Sequence, residues 1–374
     1  MKNLCICCLF YFAVAGCSFS SRKQERNAET LTVSAPAKED VKVLEPLESG
    51  EVFYKNKDPF GEIIPLTGKH LDNDTVIFKV SEAEMLVRGN RLIVKNRVEE
   101  HVLMHFSLPD MRFAGFSGRI GRGPGEFSFP SLVPSRDTTV LAYLFETANQ
   151  KLYRLEKSGE LALSPFEFSK AHRRMGSDKY LVNVAPDDFV YVESSSTGKT
   201  IFRAVKSGDS TLTREVFNLS LNPGMKSWTA YIGDFAVNPG RDRMAYAYKY
   251  FKIIKFMDME AQAVRTVNFE RNTFDENSPY RMNGLDANVT HYWGVCAGED
   301  YVYFLYSGRT PMEVGRDNGR NRCYIFVEQY DWNGNPVRKY KLDKWGYFTV
   351  DEKNKRIYLL STNDDDPFFA FDME

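Results

Sequence analysis

"DFAVNPGRDRMAYAYKYFKIIKFMDMEAQAVRTVNF", residues 234–269, reads as four short strands joined by turns. Its apolar runs are "DFAVN" (234–238), "MAYAYK" (244–249), "FKIIKF" (251–256) and "VRTVNF" (264–269), all rich in β-branched and aromatic residues. Polar punctuation such as "GRDR" (240–243) separates them, as turns separate strands. One such unit has two apolar faces and cannot bury both alone, so its meaning depends on whether it recurs.

It recurs. Runs like "MAYAYK" appear as "RLIVKN" (91–96), "TVLAYL" (139–144), "FVYVES" (189–194), "YVYFLY" (301–306) and "RIYLLS" (356–361), with starts 48, 50, 55, 57 and 55 residues apart. Each is preceded by another apolar stretch ("EMLVRG", "PSLVPS", "KYLVNV", "DFAVN", "YWGVCAG", "WGYFTVD") and followed by a third; five of the six units add a fourth. Four strands per unit of about 50 residues is the signature of propeller blades, so the spacing predicts an all-β, six-bladed β-propeller over residues 51–374. The sixth unit ends after its third strand, and an open edge invites aggregation. An N-terminal strand is expected to close it, with "TVIFKV" (75–80) preferred to "EIIPL" (62–66).

"GRIGRGPGEFSFP" (118–130) packs four glycines around Arg119 and Arg122. A phosphate loop would need a helix after the glycines, but Pro130 and Pro134 break one, and no Gly-Lys-Ser/Thr follows. The stretch instead joins the first unit to the second, where glycine supplies turns and Pro124 stiffens them. "GRGPGEF" (121–127) followed by a strand resembles a segment of the TolB-like six-bladed β-propeller lipoproteins of Gram-negative anaerobes. That resemblance implies a six-bladed ring and a cell-envelope location. It carries over no activity, substrate or catalytic residue.

The N-terminus agrees with export. Lys2 is followed by "LCICCLFYFAVAG" (4–16), the length of a signal-peptide core and too short to span a bilayer. "VAGC" (14–17) resembles a lipobox, so residues 1–16 are read as a lipoprotein signal peptide and Cys17 as the lipidated residue, giving an anchor in the cell envelope, expected at the outer membrane. Residues 17–50 are polar and nearly free of aromatics, and are read as a flexible tether reaching about 30 Å. Beyond the export segment only Cys296 and Cys323 remain, too few for a disulfide scaffold. Two ladder spacings between their strands put them beyond bridging distance, so both are expected free and largely buried. The net charge of -1 shows no basic excess, so no nucleic-acid partner is expected.

Catalytic signals are sparse. His101 and His105 lie on one strand about 13 Å apart, too far for a metal pair. No Gly-x-Ser-x-Gly elbow appears, and neither a metal nor a cofactor is expected. The long connections are richer: "SGRTPMEVGRDNGRNR" (307–322) carries Arg322 as well as Arg309, Arg316 and Arg320, "SKAHRRMG" (169–176) carries His172, and "NTFDENSPYRMNGLDANVTHYWG" (272–294) carries Arg281, His291 and Trp293. The candidates among them are Arg309, Arg316, Arg320, His172, Arg281, His291 and Trp293. Together with Arg119, Arg122 and Glu126, these are the candidate ligand-binding residues of the channel mouth, where arginine forks and aromatic faces suit an anionic or sugar-like ligand. "DTV" (74–76), "DTT" (137–139) and "DST" (209–211) resemble a short O-glycosylation acceptor. The expected role is non-catalytic binding or scaffolding by a monomer, with a protein or glycan partner. The alternative is a hydrolase or lyase working in the central channel.

Overall fold

In a computed structural model, six sheets, each one blade built on consecutive antiparallel strands, form the β-propeller. The structure describes residues 44–55, 57–72, 83–98, 100–169, 180–195, 198–222, 228–269, 288–320 and 322–373. The first strands of the blades are Glu84–Arg88, Pro130–Pro134, Leu181–Ala185, Gly233–Asn238, Thr290–Ala297 and Gly346–Asp351. Within each blade the following strands pair with their neighbours in chain order, outward from the axis.

The alternation in "MAYAY" shows why the ring forms. Met244, Tyr246 and Tyr248 enter the apolar cluster shared with blade three, while Ala245 and Ala247 enter the cluster shared with blade five. A strand's side chains alternate between sheet faces, so a strand apolar on both faces must be sandwiched between two other sheets. Six such clusters occur, one at each blade-to-blade interface. Large residues on one side meet small ones on the other, as interdigitated packing requires. Close approach explains two glycines: a Cβ at Gly233 would lie 2.2 Å from the Ala247 carbonyl oxygen, and one at Gly346 would lie 1.9 Å from that of Leu360.

Polar bonds tie the blades near the axis. The Glu84 carboxylate accepts from the Leu132 amide (2.6 Å), joining blades one and two. Ser135 Oγ donates to Asn183 Oδ1 (2.7 Å), joining two and three, and Tyr180 Oη donates to Asp234 (3.1 Å), joining three and four. Asn238 Nδ2 donates to the Glu299 carbonyl (3.0 Å) between four and five. Glu352 accepts from the amides of Glu299, Asp300 and Tyr301 (2.6, 3.0 and 3.0 Å) between five and six. Lys353 Nζ reaches Asn90 Oδ1 (3.2 Å) and returns the circuit to blade one.

The N-terminal chain wraps the rim. Gly50–Phe53 adds in parallel to the outer strand of blade four, and Ile63–Leu66 adds in parallel to the outer strand of blade five. Lys69–His70 then pairs antiparallel with Phe368–Asp372, the third strand of blade six. An N-terminal strand therefore does close the last blade. "EIIPL" is corrected from that place to the edge of blade five, while "TVIFKV" lies outside the described residues. Leu44–Glu374 forms one compact unit, with Leu47 buried in the cluster between blades four and five, so packed chain extends into the stretch read as tether. Among the described residues, no helix is long and apolar enough to cross a membrane.

Candidate functional site

Blade five carries the one described α-helix, Pro311–Asn318, inside the connection read from sequence as a loop. Its start is held by a capping box: the Glu313 amide donates to Thr310 Oγ1 (3.3 Å), and the Glu313 carboxylate accepts from the Thr310 amide (2.9 Å). Those bonds, with nearby arginines, hold the Glu313 carboxyl below its ordinary pKa. Beneath the helix opens a cleft of about 640 Å³, lined by Arg309, Asp317, Arg322, Tyr324, Lys341 and the rim residue Thr67, among others. Arg309 is bonded to Asp317, and its guanidinium lies over the Tyr324 ring at 3.8 Å. Asp343 accepts from the Gly68 amide (3.0 Å). Among the described residues, Arg322 and Lys341 pair with no carboxylate. Cys323 lines the cleft as a half-buried thiol pushed up to about 12, chiefly by burial.

A second cavity, of about 320 Å³, lies on the axis and is lined by the first strands of all six blades. Its polar end is formed by turns between first and second strands, which lie at the opposite end of the blades from the cleft. Arg136, in that turn of blade two, extends across the ring to the facing blades. Its Nε donates to the Val237 carbonyl (3.2 Å), its Nη2 donates to the Ala297 carbonyl (3.1 Å), and its Nη1 lies 3.4 Å from Glu299. Burial lowers its pKa from the ordinary value, and the like charge of Arg88 acts in the same direction. Cys296 also lines this cavity; its thiol is raised by burial and accepts from the Val350 amide (3.3 Å). Cys296 and Cys323 are both free, as expected, and each keeps only a minor part of its surface exposed.

Residues 205–353, from blade three into blade six, match the family described as TolB-like 6-blade propeller-like. That match spans part of the ring, and the fold of the chain is a six-bladed β-propeller. A member of the DUF4221 family from Bacteroides vulgatus ATCC 8482 superposes with a TM-score of 0.53 at 11% identity, over 85% of this chain and 99% of that one. A protein from Bacteroides fragilis NCTC 9343, described provisionally as exported, gives a TM-score of 0.48 at 12% identity over 86% and 98%. Among curated proteins, none matches. The first likeness extends the ring architecture beyond the residues of the family match and shows the fold alone.

The propeller distributes the sequence candidates over three places. Arg119, Arg122 and Glu126 lie at the outer edge of blade one, because Glu126–Phe127 pairs in parallel with the end of the fourth strand. There Glu126 accepts from the Gly123 amide (2.8 Å), closing the glycine turn, and Arg119 faces Glu100 (3.2 Å). The glycine-rich stretch thus adds a fifth strand to blade one and does not bring these side chains to the axis. Trp293 and Arg309 do come together. Trp293 Nε1 donates to Ser307 Oγ (2.9 Å), which also accepts from the Arg309 amide (3.3 Å). Arg316 and Arg320 are exposed, on and just after the helix. His291 is buried against Tyr306, its pKa lowered to about 4, first by burial and then by Lys252. His101 stacks on Phe116, and His105 is buried beside Ser117 (2.8 Å). Cys17, His172 and Arg281 lie outside the described residues. Sequence reasoning named Arg322 only as one arginine of its connection and missed Lys341, Arg88 and Arg136. The Thr310–Glu313 capping pair was the one local signal that could have placed the helix and its cleft.

Proposed function

We propose that this propeller is an envelope protein anchored through Cys17 that binds an anionic glycan in the cleft over blade five, without performing chemistry on it. The observation that carries the reading is the pair of exposed cations, Arg322 and Lys341, ion-paired with no carboxylate among the described residues, beside a tyrosine that Arg309 already holds in place. Carboxylates on a sugar chain would supply the missing counter-charges, and pocket walls with a few fixed polar groups are what recognition uses. Among the described residues no histidine lines the cleft, so they offer no carboxylate–histidine pair there for acid–base work.

Titration of the full chain with oligogalacturonate, against the neutral galactose oligomer, tests the reading. The acidic oligomer is expected to bind, and the double variant Arg322→Ala/Lys341→Ala to weaken it by about tenfold or more, as loss of charge-assisted hydrogen bonds implies. Equal affinity for the two oligomers, or an unaffected double variant, would overturn it. The anchor has its own test. In a bacterium that lipidates exported proteins, alkynyl fatty acid should label the wild type and not Cys17→Ser; labelling of both would remove Cys17 from that role.

A further inference from the structure

Two arginines line the axial cavity, and neither is ion-paired to a buried carboxylate. Arg136 is only 15% exposed, and its nearest carboxylate, Glu299 at 3.4 Å, is itself 80% exposed. Arg88, on the same cavity, donates Nη2 to the Asp137 carbonyl (2.7 Å) and pairs with no carboxylate among the described residues. The other acids at this end are held by bonds within the chain: Glu352 accepts from three turn amides while its charge still acts on Arg136, and Asp351 accepts from the amide and side chain of Asn354 (3.1 and 2.7 Å). Lys353, also on the cavity, adds a further positive charge and reaches Asn90. A guanidinium has five N–H donors, and the bonds described for Arg136 use three, leaving two. Buried charges are normally paired; Arg136 has only an exposed carboxylate as its ion-pair partner and half-buried Arg88 has none among the described residues, so a carboxylate entering the cavity would meet unused donors.

The remaining walls define the rest of the ligand. Met85, Val87, Val182, Phe235 and Val350 line the cavity together with other apolar residues of the first strands. At about 320 Å³, it falls within the size range of small-molecule pockets, which are mostly apolar with a few polar groups that fix orientation. We propose that the axial cavity is a second binding site, for a carboxylic acid with an unbranched apolar body. Arg136 and Arg88 take the carboxylate, and the first-strand side chains cover the chain. The site is independent of the cleft over blade five, at the other end of the blades.

The test is calorimetric titration of the full chain with sodium octanoate, sodium acetate and 1-octanol. Octanoate is expected to bind saturably, and acetate, which lacks the apolar body, and octanol, which lacks the charge, about tenfold or more weakly. Arg88→Gln should weaken octanoate about tenfold while keeping a donor for the Asp137 carbonyl. It also serves as the second variant if Arg136→Gln fails to fold. Arg322→Ala, in the cleft, should leave octanoate binding unchanged. Absence of octanoate binding, parity with octanol or acetate, an unaffected Arg88→Gln, or loss in Arg322→Ala would each overturn the proposal.

Discussion

Replacing Lys339 by alanine is expected to cost about 3–5 kcal/mol of folding stability at neutral pH, because it leaves a buried carboxylate without its cation. Lys339 is 5% exposed, and its Nζ lies 3.1 Å from Glu328 Oε1 and 3.0 Å from Asp58 Oδ2. Glu328 has no exposed surface; its other oxygen accepts from Tyr330 Oη (3.2 Å). The rings of Tyr306 and Phe326 stand 4.9 Å from the ammonium, and that of Phe60 stands 5.5 Å away. Asp58 and Phe60 belong to the rim-wrapping N-terminal chain, so this ammonium also fastens that chain to blade five. Burial alone would lower the Lys339 pKa, but Glu328 and Asp58 together hold it above the ordinary value. A lysine raised on folding stabilises fully below its unfolded pKa, about 10.4, and loses that contribution only as pH rises through the folded value. The loss should therefore be constant across neutral pH. Urea unfolding checks it, and the double variant Glu328→Leu/Lys339→Met, which removes both charges, should recover most of the loss. A single-variant cost below about 1 kcal/mol, the range of exposed pairs, would show that the pair is not the buried clasp described.

Asp234→Asn is expected to stabilise the protein at pH 8, by on the order of 2–3 kcal/mol, and to give no gain near pH 4. Asp234 lies in the first strand of blade four and is 7% exposed. Burial raises its pKa from 3.8 to about 6, with the Tyr180 hydrogen bond and Lys249 partly opposing. For a carboxyl raised on folding, stability is fully present below the unfolded pKa and lost as pH rises through the folded one. The penalty therefore grows from about pH 4 and levels off above about pH 7. Asparagine removes the charge yet keeps an oxygen to accept from Tyr180. His105 and His291 act in the opposite sense: burial lowers each to about 4, so their contribution is present above about 6.5 and lost as pH falls through 4. Those terms are common to both proteins and cancel in the difference. Urea midpoints for the pair at pH 4, 6 and 8 should diverge with rising pH; a constant or shrinking gap would contradict the assignment.

The six blades were legible because their signal is local. A strand that must pack on both faces shows it in its own residues, as "MAYAYK" and "YVYFLY" do, and the regular spacing then counts the blades. The place of the N-terminal strands was not legible to the same degree. Ile63–Leu66 joins blade five, and Lys69–His70 joins blade six, through backbone amides and carbonyls that nearly any sequence supplies. An outer edge does not specify its partner in side chains.

The candidate site divides in the same way. Arg309 and Trp293 were visible as members of arginine-rich and aromatic connections, and they share Ser307. The glycine-rich stretch was conspicuous, yet its conspicuousness reflects a tight turn: Gly125 has φ +76°, and a Cβ at Gly121 would lie 2.5 Å from Glu126 Cδ. Arg136 was the reverse case, an unremarkable residue in "PSRDT" (134–138) that crosses the ring to reach Val237 and Ala297, more than a hundred positions away.

By itself, the sequence determined the all-β class, the number of blades and the two-sided burial of their strands, because alternation is written within a few residues. Only the tertiary structure decided which edge each N-terminal strand covers, which arginines face the axis and where the cleft opens. Ring closure brings together residues far apart in the chain, and no local pattern records which of them will meet.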